Sequence, residues 1–343
     1  MDEENHNPVL GSLLGTAVGD ALGLPYEGLK RGRVRAFGVI RHRFLFGRGM
    51  FSDDTEHTLM LASALIEARD GVDECACRFG RKLRWWLAGL PAGVGLSTAR
   101  AIFKLWIGFP VARSGVRSAG NGAAMRSPIL GVVFRNEPSK RREFTAALCR
   151  VTHTDPRAEE SAALVAEAAA MAANRISSAE VIAKLETLVV SNEMESRFAT
   201  LKKCLASEKS VLMYADDIFC SDSVSGFAPN TVSVALYAWL RHRGNFETAV
   251  RSVIECGGDT DTVAAIAGGI CGAEEGEKGI PMEWIEKICD WPRSVGHIGR
   301  VADALDSGAT TAPRLFWPVV IVRNLVFLIA VLLHGFRRLL PPY

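Results

Sequence analysis

Apolar residues recur at spacings of three and four along almost the whole chain, the period of α-helices with one buried face. From Leu10 to Leu22 the pattern is dense, and Gly11, Gly15 and Gly19 fall at every fourth position within it. A glycine face lets another backbone approach closely, so this helix is expected in the interior. Asp54 to Ala68 reads as an amphipathic helix closed by Asp70-Gly71. Ser97–Trp106, Lys140–Val151 and Pro156–Ala173 follow, the last with Asp155 as N-cap and Pro156 in the first turn. Ser178–Val190, Ser196–Ser207, Asn230–Arg241, Phe246–Cys256, Thr260–Cys271 and Met282–Asp290 continue the series. No period-two run, hairpin signal or solenoid-length repeat interrupts it. The pattern predicts a single all-α domain of unusual length, over about residues 8–308.

The C-terminal stretch Leu315–Leu333 is apolar but broken by Pro318, Arg323 and Asn324, and His334, Arg337 and Arg338 follow it. Its longest uninterrupted apolar run, Leu325–Leu333, falls short of the ~20 residues that cross a bilayer. A mid-span arginine costs at least ~2.5 kcal/mol on insertion scales. The expectation is a separate tail over residues 313–340, an extra helix with its apolar face buried on the domain or on a second subunit and Arg323 reaching a carboxylate or the surface. Membrane contact through this tail is the less favoured alternative, and a true span the least.

Composition changes this picture little. With 343 residues, 48% of them hydrophobic, the chain can bury a large core. Forty basic against 38 acidic residues give a net charge of +2, no basis for a nucleic-acid surface. The eight cysteines include no CxxC pair and no Cys/His group with zinc spacing. They are expected as reduced thiols serving as small apolar fillers. The acidic start Met1-Asp2-Glu3-Glu4 lacks the basic region of a signal peptide, so the expected location is cytoplasmic.

The candidate chemistry lies in two acidic clusters about two hundred residues apart, Ser52-Asp53-Asp54-Thr55 and Gly257-Gly258-Asp259-Thr260-Asp261-Thr262. Each opens a helical pattern. N-capping and the helix dipole explain one such cluster well, and two poorly. Crowded carboxylates need a compensating charge, and hard divalent cations, Mg²⁺ above all, supply it through oxygen ligands. Asp20, set in the Gly11–Leu22 stripe, reads as a buried, hydrogen-bonded structural carboxylate. Gly120-Asn121-Gly122 is small and flexible enough for its N–H groups to approach a pyrophosphate.

Five segments occur in order: GDALGLPYEG, SDDTEHTLM, GNGAAMRSPILG, THTDPRAEESA and GGDTDTVAAIAGGICGA. Together they closely resemble the ADP-ribosylglycohydrolases, the family of dinitrogenase reductase-activating glycohydrolase and the ADP-ribosylhydrolases, from about Leu10 to about Ala304. The resemblance implies an all-α orthogonal bundle holding two Mg²⁺, with Mn²⁺ possible. It implies hydrolysis of the bond between the distal ribose of ADP-ribose and an acceptor, on an ADP-ribosylated protein or a small ADP-ribose conjugate. Ser52, Asp53, Asp54, Asp259, Asp261 and Thr262 match its metal ligands. Glu27 matches a mobile acidic residue near the distal ribose. Gly120, Asn121, Gly122 and Met125 match the loop around the pyrophosphate and proximal sugar, and His153 and Asp155 match a segment on the substrate cleft. Asp53, Asp54 and Glu27 remain open as the general base. Arg126 could pair a phosphate or an acidic neighbour. Glu56 and His57 depart from the family's commonest pattern and receive no catalytic role. A catalytically silent ADP-ribose-binding relative and a metal-dependent nucleotide phosphohydrolase are the competing readings. The acceptor group is not legible, because the loops that would read it, Arg31–Met50 and Ala215–Asn230, are too variable to match.

Overall fold

The computed structural model describes residues 6–339, so the acidic start Met1-Asp2-Glu3-Glu4 and residue 340 of the predicted tail lie outside the described residues. Among those described, seventeen α-helices form an orthogonal bundle, with isolated β-bridges and no strand.

Two antiparallel helices, Pro8–Gly23 and Thr260–Glu275, run through the centre and are buried along nearly their whole length. Their glycines set the spacing. A Cβ added at Gly11, Gly15 or Gly19 would lie 2.1 Å from the carbonyl oxygen of Gly272, Gly268 or Ala264 respectively. At Gly23 it would lie 2.4 Å from the Thr260 oxygen. Backbone therefore lies against backbone over four successive turns, and the register admits no slip. The seam puts Asp20, near the end of the first helix, beside Asp261, at the start of the second.

The Pro156–Ala173 helix is approached just as closely, since a Cβ on Gly131 would lie 2.2 Å from the Ala166 carbonyl. Asp155 caps this helix and Pro156 occupies its first turn, as the sequence predicts. Most predicted helices recur with ends moved by a few residues. Five were missed: Arg31–Ala36, Val72–Ala88, Pro128–Val133, Val211–Asp217 and Val295–Asp306. Asp70-Gly71 does stop a helix, but Gly71 also caps the next one. Six of the eight cysteines are buried; Cys77 is exposed and Cys289 half-buried.

The tail forms a 21-residue helix, Trp317–Arg337, docked on the bundle. Arg323 does reach carboxylates, Glu56 and Asp290, but the docking face is less apolar than expected. The buried residues are Val320, Arg323, Asn324, Phe327 and Ala330, with the two polar groups at the centre. Leu325, Ile329, Leu332, Leu333 and Phe336 point outward instead. Arg323 and Asn324 find buried partners on the bundle, and those partners, not apolar area, decide which face turns inward.

Candidate active site

The first acidic cluster is the entry turn of the Asp53–Glu67 helix. Ser52 is its N-cap: its Oγ accepts from the Asp54 N–H (3.3 Å) and donates to Asp54 Oδ2 (3.0 Å). Asp20 holds this turn from the neighbouring helix. Its carboxylate accepts the Ser52 N–H at 2.9 Å, the Thr55 N–H at 3.0 Å and the Thr55 hydroxyl at 2.7 Å. The structural reading of Asp20 therefore stands, and its role is to aim Asp53 and Asp54.

The second cluster is set by glycine geometry. Gly257 and Gly258 adopt φ of +70° and +87°, and a Cβ on Gly258 would strike the Val224 carbonyl at 2.0 Å. Only glycine fits there. Gly258 donates its N–H to Leu29 O and accepts from the Gly28 N–H, both at 2.8 Å, while the Asp259 N–H donates to Val224 O at 2.8 Å. This stitching ties the Glu27 loop to the Asp259 turn. Asp259 Oδ2 accepts from Asn121 Nδ2 at 2.6 Å. Thr262 Oγ1 donates to Asp54 Oδ2 at 3.3 Å, joining the two clusters directly.

Carboxylate oxygens gather into two triads, Asp20–Asp54–Asp261 and Glu27–Asp259–Asp261, each with its oxygens within 4.8 Å of one another. Asp261 belongs to both. Desolvation pushes Asp53 up to about 8, with the charge of Asp20 adding to it. It pushes Asp54 and Asp261 well above the usual carboxylate range. Loss of hydration within the cleft, then the Asp259 and Asp20 charges, raise Glu27 to about 7, although the residue as a whole is exposed to solvent. Asp20 rises only to about 6, because its hydrogen bonds favour the anion against burial. So many carboxyls displaced in one direction describe a site short of positive charge.

Opposite the acids lies the Gly120–Gly122 loop. The His153 ring packs directly beneath it: a Cβ on Gly122 would lie 2.9 Å from His153 Cε1. His153 Nδ1 is 2.8 Å from Thr152 Oγ1, and burial, with the charge of Arg126, lowers its pKa to about 3, so the ring is neutral. Arg126 itself is fully buried, over the Phe79 ring, and donates to the Gly122 and Leu148 carbonyls and to Thr152 Oγ1. It braces the loop from behind and forms no salt bridge among the described residues.

These walls enclose a cleft of about 500 Å³. It is lined by Glu27, Ser52, Asp53, Gly120, Asn121, Gly122, Met125, His153, Asp259, Asp261 and Thr262, all foreseen in the sequence. Asp54 sits just behind, in contact through Ser52 and Thr262. Asp155 is not in the cleft. Its carboxylate caps the Arg157 N–H at 3.0 Å and pairs with the Arg157 guanidinium at 2.9 Å.

Other lining residues escaped sequence reasoning: the Pro91–Thr98 loop and, from the tail helix, Arg323, Phe327 and Val331; Gly226 comes from the Ala215–Asn230 loop, expected to read the acceptor. Gly226 faces Asp259, with a Cβ there only 3.1 Å from Asp259 Oδ2. Glu56 also reaches the cleft wall, where it accepts from Trp86 Nε1, Arg293 (2.8 Å) and Arg323 (2.9 Å). Arg323 further pairs with Asp290 and donates to the Phe51 carbonyl at 2.6 Å. The one sequence signal for this junction was a charged residue inside an apolar run.

Comparison with known proteins agrees with this geometry. Residues 1–313 match the ADP-ribosylglycohydrolase family. An uncharacterized protein of Archaeoglobus fulgidus is 32% identical over 310 residues, covering 84% of this chain and 93% of the relative. The ADP-ribosyl-[dinitrogen reductase] glycohydrolase of Rhodospirillum rubrum is 27% identical, covering 82% and 90%. The ADP-ribosylarginine hydrolase Tri1 of Pseudomonas putida is 28% identical, covering 89% and 79%. A solved structure titled ADP-ribosylglycohydrolase-related protein complex superposes with a TM-score of 0.69 at 26% identity, over 88% of this chain and 98% of that one. With the ordered motifs gathered around one acidic cleft, this chain belongs to the ADP-ribosylglycohydrolase family and is an enzyme of the glycosidic-bond hydrolase type.

Proposed function

We propose that this enzyme hydrolyses the glycosidic bond between ADP-ribose and an acceptor group on an ADP-ribosylated protein, releasing ADP-ribose. The observation that carries the reading is the pair of carboxylate triads sharing Asp261 at one end of a cleft whose other end is a glycine loop. The volume suits a ligand of nucleotide-sugar size.

The donor set fits hard divalent cations. Asp54 Oδ1 is buried without a hydrogen-bond partner, and the neighbouring ligand candidates are all oxygens. Two Mg²⁺, or Mn²⁺, would be held by Ser52, Asp53, Asp54, Asp259, Asp261 and Thr262. Bound there, such ions supply Lewis-acid polarisation of substrate oxygens and reverse the upward carboxyl shifts. Asn121 fixes the rotamer of Asp259, and Asp20 fixes the Ser52–Asp54 turn. The Gly120 and Gly122 backbone offers close approach for a pyrophosphate, remote from the reacting bond. Cleavage at a ribosyl carbon develops positive charge on the sugar, and Asp53, Asp54 and Glu27 stabilise it electrostatically. One of the same three carboxylates takes the proton of the attacking water.

The test is incubation of the pure protein with arginine- and serine-linked ADP-ribosyl peptides, with and without EDTA. Free ADP-ribose that disappears on chelation is the expected product. AMP or phosphate would replace this reading with a phosphohydrolase. Binding of ADP-ribose with no product would make the chain a silent relative.

A further inference from the structure

The tail helix has two faces of opposite use. The inner face is fixed by Arg323, whose partners are Glu56, Asp290 and the Phe51 carbonyl, and by Asn324, which donates to Gly89 O at 2.7 Å. On the outer face Val322, Leu325, Ile329, Leu332, Leu333 and Phe336 recur at helical spacing, each at least half exposed. The helix is apolar enough in composition to cross a bilayer, with a mean hydropathy of 2.3, yet only 28% of it is buried. Its outer stripe, from Val322 to Phe336, is about 21 Å long at the rise of an α-helix.

Both ends of the stripe are chemically distinct. At the start, Trp317 donates to the Trp85 carbonyl at 3.2 Å, and Trp85 meets Trp317 and Trp106 edge-on, all three indoles partly open to solvent. At the far end the helix meets the loop after the Glu27 turn: Arg33 donates to Arg338 O at 3.0 Å and Phe44 packs on His334. Residues 30–50 of that loop carry seven Lys or Arg and no Asp or Glu, and residues 307–343 carry three Arg besides the buried Arg323 and no Asp or Glu. Lys30 and Arg31 pair with Asp222 and Asp216 on the far side of the loop. Arg43 donates to the Tyr26 hydroxyl and to carbonyls, and Arg48 to the Glu286 carbonyl, so these two charges are not neutralised by the contacts they make. Phe46 stands fully exposed at the tip of the same loop.

We propose that this outer face is an in-plane docking surface for an anionic lipid bilayer. Acyl chains would receive the Leu/Ile/Phe stripe, the headgroup layer the indoles, and anionic headgroups the arginines. A second copy of the chain fits less well, because it would bring one basic surface against another with no carboxylate in either segment to compensate. A spanning tail fits less well too, because leaving the bundle would strip Glu56 and Asp290 of their buried arginine. The surface is independent of the proposed substrate.

The experiment is flotation of the full-length protein with phosphatidylcholine vesicles and with mixed phosphatidylcholine–phosphatidylglycerol vesicles. Expected are binding to the mixed vesicles, a blue shift of tryptophan emission, and release by high salt. Leu325→Glu and Leu332→Glu should each weaken vesicle partitioning by about tenfold or more with unchanged melting temperature. Arg48→Glu should weaken the preference for anionic vesicles. Equal failure to float with both vesicle types would overturn the proposal. So would a dimer in sedimentation that Leu325→Glu dissolves, or a tail resistant to salt and alkaline extraction.

Discussion

Arg323 of the tail helix lies 2.9 Å from the Glu56 carboxylate, two residues beyond the acidic turn that ends at Asp54, with both side chains almost wholly buried. The tail is thus tied to the wall of the active cleft by an ion pair. Arg323→Met leaves Glu56 and Asp290 buried with less positive charge. It should destabilise the protein by roughly 3 kcal/mol, the low end for breaking a buried pair, because Arg293 still serves Glu56. Thermal unfolding measures this, and an unchanged melting temperature would mean the pair is dispensable. Truncation after Ala312 should lower the melting temperature as well.

Asp261 is common to both carboxylate triads, whereas Glu27 belongs to one. Asp261→Ala should therefore abolish both turnover and the calorimetric heat of Mg²⁺ binding. Glu27→Gln should cut kcat yet leave ADP-ribose affinity within a few-fold. The same removal of crowded charge should make the metal-free Asp261→Ala protein more stable than the metal-free parent. Full activity of the parent in excess EDTA would refute the metal assignment.

Gly15 faces the Gly268 carbonyl so closely that an added methyl cannot be accommodated without parting the central helices. Gly15→Ala should lower stability by about 3 kcal/mol, at the upper end of overpacking effects. Its gain in helix propensity, about 1 kcal/mol, works in the other direction and is smaller. Chemical denaturation would reveal a neutral outcome if the seam were loose.

Away from the cleft, burial raises Glu275 to about 7, against one stabilising hydrogen bond from the Phe246 N–H; the charge of Glu274 adds to the rise. Its other oxygen has no partner. A carboxyl whose folded pKa lies above its unfolded value binds protons better when folded. Its favourable contribution is complete below about pH 4.5 and lost as pH climbs through about 7. Glu275→Gln should consequently raise the melting temperature at pH 8 and change it little at pH 4.5. Equal effects at both values would show that the carboxyl does not titrate as described.

Much of this was legible because the site is built from short, contiguous motifs. Ser52–Asp54 and Asp259–Thr262 each announce themselves by local crowding, and the Gly11–Gly15–Gly19 repeat announces the close seam. The Val72–Ala88 helix was missed because its charges hide a regular stripe of Cys75, Phe79, Leu83 and Trp86. The helices Pro128–Val133 and Val211–Asp217 are too short to express a period. A capping carboxylate and a cleft carboxylate look alike in sequence; in the structure Asp155 caps its helix and pairs with Arg157. The tail's role at the cleft wall depends on a contact between residues 56 and 323, which no local pattern records.

The backbone seam between the two central helices has one further consequence. Soft side chains can yield by a few tenths of an ångström, but stacked main chains cannot, so the gap between the Asp20 end of one helix and the Asp261 end of the other behaves as a stiff caliper. A caliper of fixed opening keeps the Asp20-held Ser52–Asp54 turn and the Asp261 turn at one separation, so the glycines of the core set the spacing of carboxylates they never touch.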